Sequence, residues 1–206
     1  MHDQKRDARG LRDGARFLLS LVSTPHLTGA VAPSSPGLAR AMAAAAGPPA
    51  DGIVVELGPG TGPVTRALFD RGLDPRRLVM VEYNPQFCRL LEDRFAPARV
   101  IRGDAYDLPR TLAELEGRRV AAFVSSLPLL TRPPRDREKL IGDAFALMGA
   151  GGVFVQFTYG FQSPIPREVI AGRYSARRGR PIWANLPPAR VWTYRLEAHA
   201  NPRGRQ

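Results

Sequence analysis

Short apolar runs alternate with longer segments of mixed polarity along the chain. Residues 53–57 (Ile-Val-Val-Glu-Leu) form a β-branched run suited to a buried parallel strand. Residues 78–81 repeat the pattern and end in Glu82, and residues 99–103, 120–125 and 152–158 supply three more such runs. Helix-compatible stretches lie between them: residues 63–69, the segment after Asn84-Pro85, and residues around 137–148. This alternation predicts a doubly wound α/β fold, Rossmann-like, built on a mostly parallel sheet. Residues 181–186 and 190–196 flank Pro187-Pro188 and read as a closing antiparallel hairpin, giving about seven strands. The arginine-rich residues 173–180 read as a loop before that hairpin.

The first strand runs directly into glycines, as Glu56-Leu57-Gly58-Pro59-Gly60-Thr61-Gly62. Glycine permits a sharp turn and a close backbone approach to a ligand, and Pro63 suits the first helical position that follows. A dinucleotide site reads G-x-G-x-x-G, with a helix N-terminus facing a pyrophosphate. Here the spacing is G-x-G-x-G behind an acid, which fits S-adenosylmethionine (SAM), a cofactor with a sulfonium, an amino-acid moiety and an adenosine but no phosphate. Glu82 is placed for the ribose hydroxyls. The third strand ends in Gly103-Asp104-Ala105, where a carboxylate suits the adenine amino group. The expected cofactor set is Glu56, Leu57, Gly58, Gly60, Thr61, Gly62, Glu82, Tyr83, Gly103, Asp104, Ala105 and Ser125, in a class I SAM-dependent methyltransferase fold with S-adenosylhomocysteine as product.

Length and composition suit one enzyme domain of 206 residues. No run approaches the roughly 20 apolar residues that cross a bilayer. The single Cys88 rules out an internal disulfide, and the three histidines lack metal-ligand spacing, so no metal is expected. Cytoplasm is the expected compartment, and a monomer the expected state. Thirty basic against 19 acidic residues leave a net charge of +11, which points to a polyanionic partner, a nucleic acid or an anionic membrane.

Near the N-terminus, Lys5, Arg9, Arg12 and Arg16 follow helical spacing on one face, while Leu11, Ala15, Leu18 and Val22 repeat it about 120° away. Phe17 and Leu21 widen the apolar face. Such a basic amphipathic helix suits a membrane interface, through Lys5, Arg9, Arg12, Arg16, Phe17, Leu18 and Leu21. Packing of the apolar face on the sheet is the alternative. Residues 1–25 are therefore read as a membrane-interacting helix, 26–199 as the methyltransferase domain and 200–206 as a frayed tail.

Ser125-Ser126-Leu127-Pro128-Leu129 follows the fourth strand, where the methyl acceptor meets the cofactor in this architecture. Methyltransferases acting on nucleobase amines carry an amide and a base-stacking aromatic in this segment. Ser126 and Leu129 stand in their places, which argues against a base.

The chain resembles the bacterial phospholipid N-methyltransferases, in the branch related to rRNA adenine dimethylases. The resemblance runs through Thr28-Gly29-Ala30-Val31-Ala32-Pro33-Ser34-Ser35, the Glu56–Gly62 loop, Val81-Glu82-Tyr83, Gly103-Asp104-Ala105 and residues 125–130. It continues through Gln156-Phe157-Thr158-Tyr159-Gly160, Ser163-Pro164-Ile165 and residues 185–194. It implies N-methylation of phosphatidylethanolamine through mono- and dimethyl lipids to phosphatidylcholine, at the cytoplasmic face of the inner membrane. Nucleic acid is then not an expected partner; an rRNA adenine methyltransferase is the alternative.

A headgroup amine with a lysine-like pKa is protonated at neutral pH, so exposing its lone pair costs about 4 kcal/mol. Tyr159 is the first candidate to orient or deprotonate it, with Ser126 as an acceptor. The methylated nitrogen is cationic, and Tyr159, Phe161 and Tyr174 offer aromatic faces to it. Arg177 and Arg180, beside Tyr174, are candidate phosphate ligands.

Overall fold

The computed structural model describes residues 35–47, 51–185 and 187–197. The N-terminal segment expected to form a membrane-interacting helix, most of the segment at 28–35 and the tail at 200–206 lie outside them.

Seven strands form one sheet in the order β3-β2-β1-β4-β5-β7-β6. They are β1 (Ile53–Leu57), β2 (Leu78–Glu82), β3 (Arg99–Arg102), β4 (Val120–Ser125), β5 (Val153–Thr158), β6 (Tyr174–Arg178) and β7 (Arg190–Leu196). The first five are parallel; β7 runs antiparallel to both β5 and β6. Every residue of β1 and β2 is buried, as befits strands covered on both faces.

Helices α1 (Pro36–Ala45), α2 (Pro63–Asp70) and α3 (Pro85–Phe95) cover one face. Their Leu38, Met42, Val64, Leu68, Leu91 and Phe95 pack with Val54, Met80 and Val155. On the other face, α4 (Leu108–Thr111), α5 (Pro134–Met148) and α6 (Arg167–Ile170) meet Val55, Leu57, Phe123 and Phe154 through Leu108, Ile141, Phe145 and Val169. The result is a three-layer α/β/α sandwich, and no helix among the described residues is long and apolar enough to cross a membrane.

The closing hairpin differs from the sequence expectation. Its first strand is Tyr174–Arg178, within the segment read as a loop, while among the described residues 181–185 only Ile182 pairs, in a bridge with Ala189. The reason is period-two alternation on an edge strand: Tyr174 and Ala176 face the core, Ser175 and Arg177 do not. Charged residues suit such an edge, so their density disguised the strand.

Candidate active site

Strand order reverses between β1 and β4, so the crevice beyond their carboxyl ends is where this architecture binds ligands. Both strands end there in tightly joined loops. Gly58 N–H donates to Val81 O at 2.9 Å, and Ser126 N–H to Leu57 O at 2.9 Å. A Cβ on Gly58 would lie 2.9 Å from Leu127 Cδ2, so the β1 and β4 loops pack closely there, and the φ of +65° at residue 58 favours glycine.

The other two loop glycines differ in kind. Gly62 has φ +81°, and a Cβ there would come within 2.2 Å of the Phe95 ring; it seats α2 against α3. Gly60 has φ +58°, and its missing Cβ faces open space. It keeps a cradle clear.

Three carboxylates stand at or just past the ends of β1, β2 and β3, on the same edge of the sheet as that loop. Glu56 is fully buried; its Oε2 accepts from Thr65 Oγ1 at 2.7 Å, and its Oε1 has no partner. Burial, offset in part by the Thr65 bonds, pushes its pKa from 4.5 up to about 7. Glu82 accepts from the Tyr83 and Asn84 amides at 2.9 Å through Oε1, and from Gly60 N–H at 3.1 Å through Oε2. The carboxylate thus ties the glycine loop to the end of β2. Asp104 is exposed and accepts from Tyr106 N–H through one oxygen, leaving the other for an exocyclic amine. Gly103 serves packing, since a Cβ there would strike Thr111 at 2.5 Å. The donor set fits SAM: an orphaned buried acid suits its ammonium group, Glu82 its ribose and Asp104 its adenine. Thr65 had no place in the sequence reading; its only signal is a hydroxyl on the helix that follows an acid-ended strand.

Ser125 is fully buried, with Leu127 N–H 3.4 Å from its Oγ, and Ser126 is half-buried on the acceptor side. Leu129 does not line the crevice; it is buried in the core under β4. Gln156, on β5, holds the acceptor loop by donating from Nε2 to Leu127 O at 2.9 Å. Tyr159 stands just past β5, edge-on to Phe157, with its hydroxyl 3.4 Å from Asn185 Nδ2. Asn185 also accepts from Ser35 Oγ, the hydroxyl that caps α1 by accepting from Leu38 N–H. Tyr159, Asn185 and Ser35 therefore join β5, the loop before β7 and the start of α1. Gln156, Asn185 and Ser35 lay within the resembling segments, but single-residue chemistry assigned them no role.

Tyr174 requires a correction. It is 2% exposed and stacks on Phe145 of α5 at 4.9 Å, at the start of β6 and therefore at the opposite end of the sheet. Its inward position on the strand places it in the core, away from any substrate. Arg177 and Arg180 are exposed near the other end of that strand. No group of residues suited to a metal ion occurs among the described residues.

No family model matches the chain. An ornithine lipid N-methyltransferase from Singulisphaera acidiphila is 34% identical over 151 residues, spanning 72% of this chain and 79% of that protein. This chain belongs to the family of SAM-dependent methyltransferases that includes that enzyme. Among solved structures, TrmN from Thermus thermophilus superposes with a TM-score of 0.64 at 20% identity, covering 82% of this chain and 51% of that one. The glycopeptide N-methyltransferase MtfA, solved with SAM, gives 0.59 at 16% identity over 84% and 99%. At these identities the structures establish the class I fold, which the seven-stranded sheet with its antiparallel hairpin shows directly. SAM is the cofactor of this family member, and S-adenosylhomocysteine its product.

Proposed function

We propose that this chain N-methylates the headgroup amine of a membrane lipid, with phosphatidylethanolamine as acceptor and the mono- and dimethyl lipids as further acceptors on the way to phosphatidylcholine. The observation that carries the reading is the 34% identical lipid N-methyltransferase, which matches across most of both chains. The acceptor edge supports it, because Leu129, in the place of a base-stacking aromatic, is buried in the core. That relative's own name favours a second acceptor, an ornithine lipid.

Bound SAM supplies an electrophilic methyl group. The protein's tasks are to hold donor and acceptor in line and to let the amine lose its proton. Glu56, Gly60, Glu82 and Asp104 hold the donor. Tyr159, tethered by Asn185, stands beyond β5 to orient the amine, and Ser126 beyond β4 offers an acceptor oxygen. Arg177 and Arg180 are candidate partners for the lipid phosphate. Residues 1–25 supply an amphipathic contact with the cytoplasmic face of an anionic membrane.

Labelled SAM offered with phosphatidylethanolamine, ornithine lipid and unmodified rRNA decides among acceptors. Label in phosphatidylethanolamine and its methylated products supports the proposal. Label confined to ornithine lipid moves the acceptor within the lipid class, and label confined to RNA sinks the lipid reading.

A further inference from the structure

Four large aromatic side chains stand out as exposed among the described residues: Tyr83 (77%), Phe87 (36%), Phe161 (80%) and Trp183 (77%). All four lie at one edge of the molecule. Tyr83 follows β2 and Phe87 sits in the first turn of α3, Phe161 follows β5, and Trp183 lies in the turn before the antiparallel β7. This is the edge where the parallel strands end and where the cofactor crevice opens. The strands at its two flanks, β2 and β7, are four places apart in the sheet, about 19 Å.

Trp183 does not dangle. The β6–β7 hairpin is prolonged past its strands by the Ile182–Ala189 bridge, and Asn185, two residues on, is pinned to Ser35 and Tyr159. The indole is held outward on a fixed turn. In this part of the chain the charge is one-sided: between Asp143 and Glu197 lie Arg167, Arg173, Arg177, Arg178, Arg180, Arg190 and Arg195 but a single acid, Glu168. Arg178, Arg180 and Arg190 belong to this edge, and none forms an ion pair among the described residues.

We propose that this edge is itself a membrane-docking surface: Phe161 and Trp183, with Phe87 at the far flank, enter the headgroup region of an anionic bilayer while Arg178, Arg180 and Arg190 meet lipid phosphates. The Trp183 indole, apolar with one N–H, suits that interface, the Phe161 and Phe87 rings bury apolar area in it, and arginine suits phosphate. The inference rests on the lipid reading of the site, which favours a bilayer over RNA, the other polyanion that arginines and aromatics accept. It adds an orientation, with the crevice mouth against the lipid surface where a headgroup amine resides.

The chain has two tryptophans, and the indole nitrogen of the other, Trp192, is buried. Both fluoresce, so the part of the signal that Trp183→Phe removes is the part that belongs to Trp183. With vesicles of phosphatidylglycerol and phosphatidylcholine in equal parts, brominated near the headgroup end of the acyl chains, emission is expected to shift blue and be quenched. Trp183→Phe is expected to lose that quenching. Phe161→Ala and Trp183→Ala are each expected to bind these vesicles about tenfold more weakly, with SAM affinity by calorimetry confirming that they fold. Unquenched Trp183 in vesicle-bound protein overturns the proposal, as does a Trp183 response to single-stranded RNA but not to vesicles. Methylation of aminolipid in mixed micelles tests the lipid reading separately. Methylation there with unquenched Trp183 on vesicles defeats the docking surface alone, whereas quenching with no aminolipid methylated in any format defeats the function and leaves the surface standing.

Discussion

At the residue scale, Glu56 sets stability against binding. An acid whose pKa rises from 4.5 in the unfolded chain to about 7 in the fold binds more protons folded than unfolded between those values, so stability falls as pH rises through that window. Above pH 7 the penalty is fully developed, on the order of 3 kcal/mol. Glu56→Gln is expected to raise the melting temperature of cofactor-free protein at pH 8 and to leave it little changed at pH 4.5. The same variant loses the charge that suits the cofactor ammonium, so its SAM affinity is expected to fall at pH 8, as calorimetry will read. The loop glycines divide in the same way. Gly62→Ala drives a Cβ into Phe95 at a left-handed position and is expected to cost about 2–4 kcal/mol in denaturant unfolding. Gly60→Ala carries only the backbone strain, about 1–2 kcal/mol, yet fills the cradle, so its larger effect is expected on SAM binding.

At the element scale, a motif that joins elements is worth more than its single bonds. Asn185→Ala removes the shared partner of Ser35 and Tyr159, two hydrogen bonds that tie three elements, and is expected to destabilise by about 1–2 kcal/mol. Tyr159 is then released, so acceptor turnover is expected to fall while SAM affinity holds; kinetics at saturating SAM will show it. This network was invisible in the sequence because its members are 150 and 26 residues apart. What was legible were elements whose chemistry is local. Strands β1, β2, β4 and β5 announce themselves as buried apolar runs, β3 as the short apolar pair Val100-Ile101 between arginines, and Glu56, Glu82 and Asp104 lie at or just past the ends of β1, β2 and β3. Strand β6 was not legible, since an edge strand shows only half an apolar pattern, and Tyr174 was misplaced along with it. The partner of Glu56 is hidden for a related reason: Thr65 reaches it only through the packing of α2 on β1.

For the whole molecule, the distribution of charge matters more than its total. Residues 1–22 carry five basic side chains, Lys5, Arg6, Arg9, Arg12 and Arg16, against Asp3, Asp7 and Asp13, a net of +2. Residues 144–196 carry seven arginines against Glu168, a net of +6 out of the chain's +11. The basic field is therefore centred on the β5–β7–β6 half of the sheet, and removal of residues 1–22 leaves +9 in the remainder. Each basic residue near an anionic surface contributes about 1 kcal/mol, screened over about 10 Å at 0.1 M salt. A chain lacking residues 1–22 is thus expected to keep an attraction to anionic vesicles that is strongest at low ionic strength and falls steeply toward about 0.5 M salt, leaving there only the contribution of Phe161 and Trp183. The full chain adds Phe17, Leu18 and Leu21 and is expected to retain more of its binding there. Sedimentation with phosphatidylglycerol vesicles across a salt series makes the comparison, and a truncated chain that fails to bind at any salt would place the whole attraction in residues 1–22, against the charge distribution.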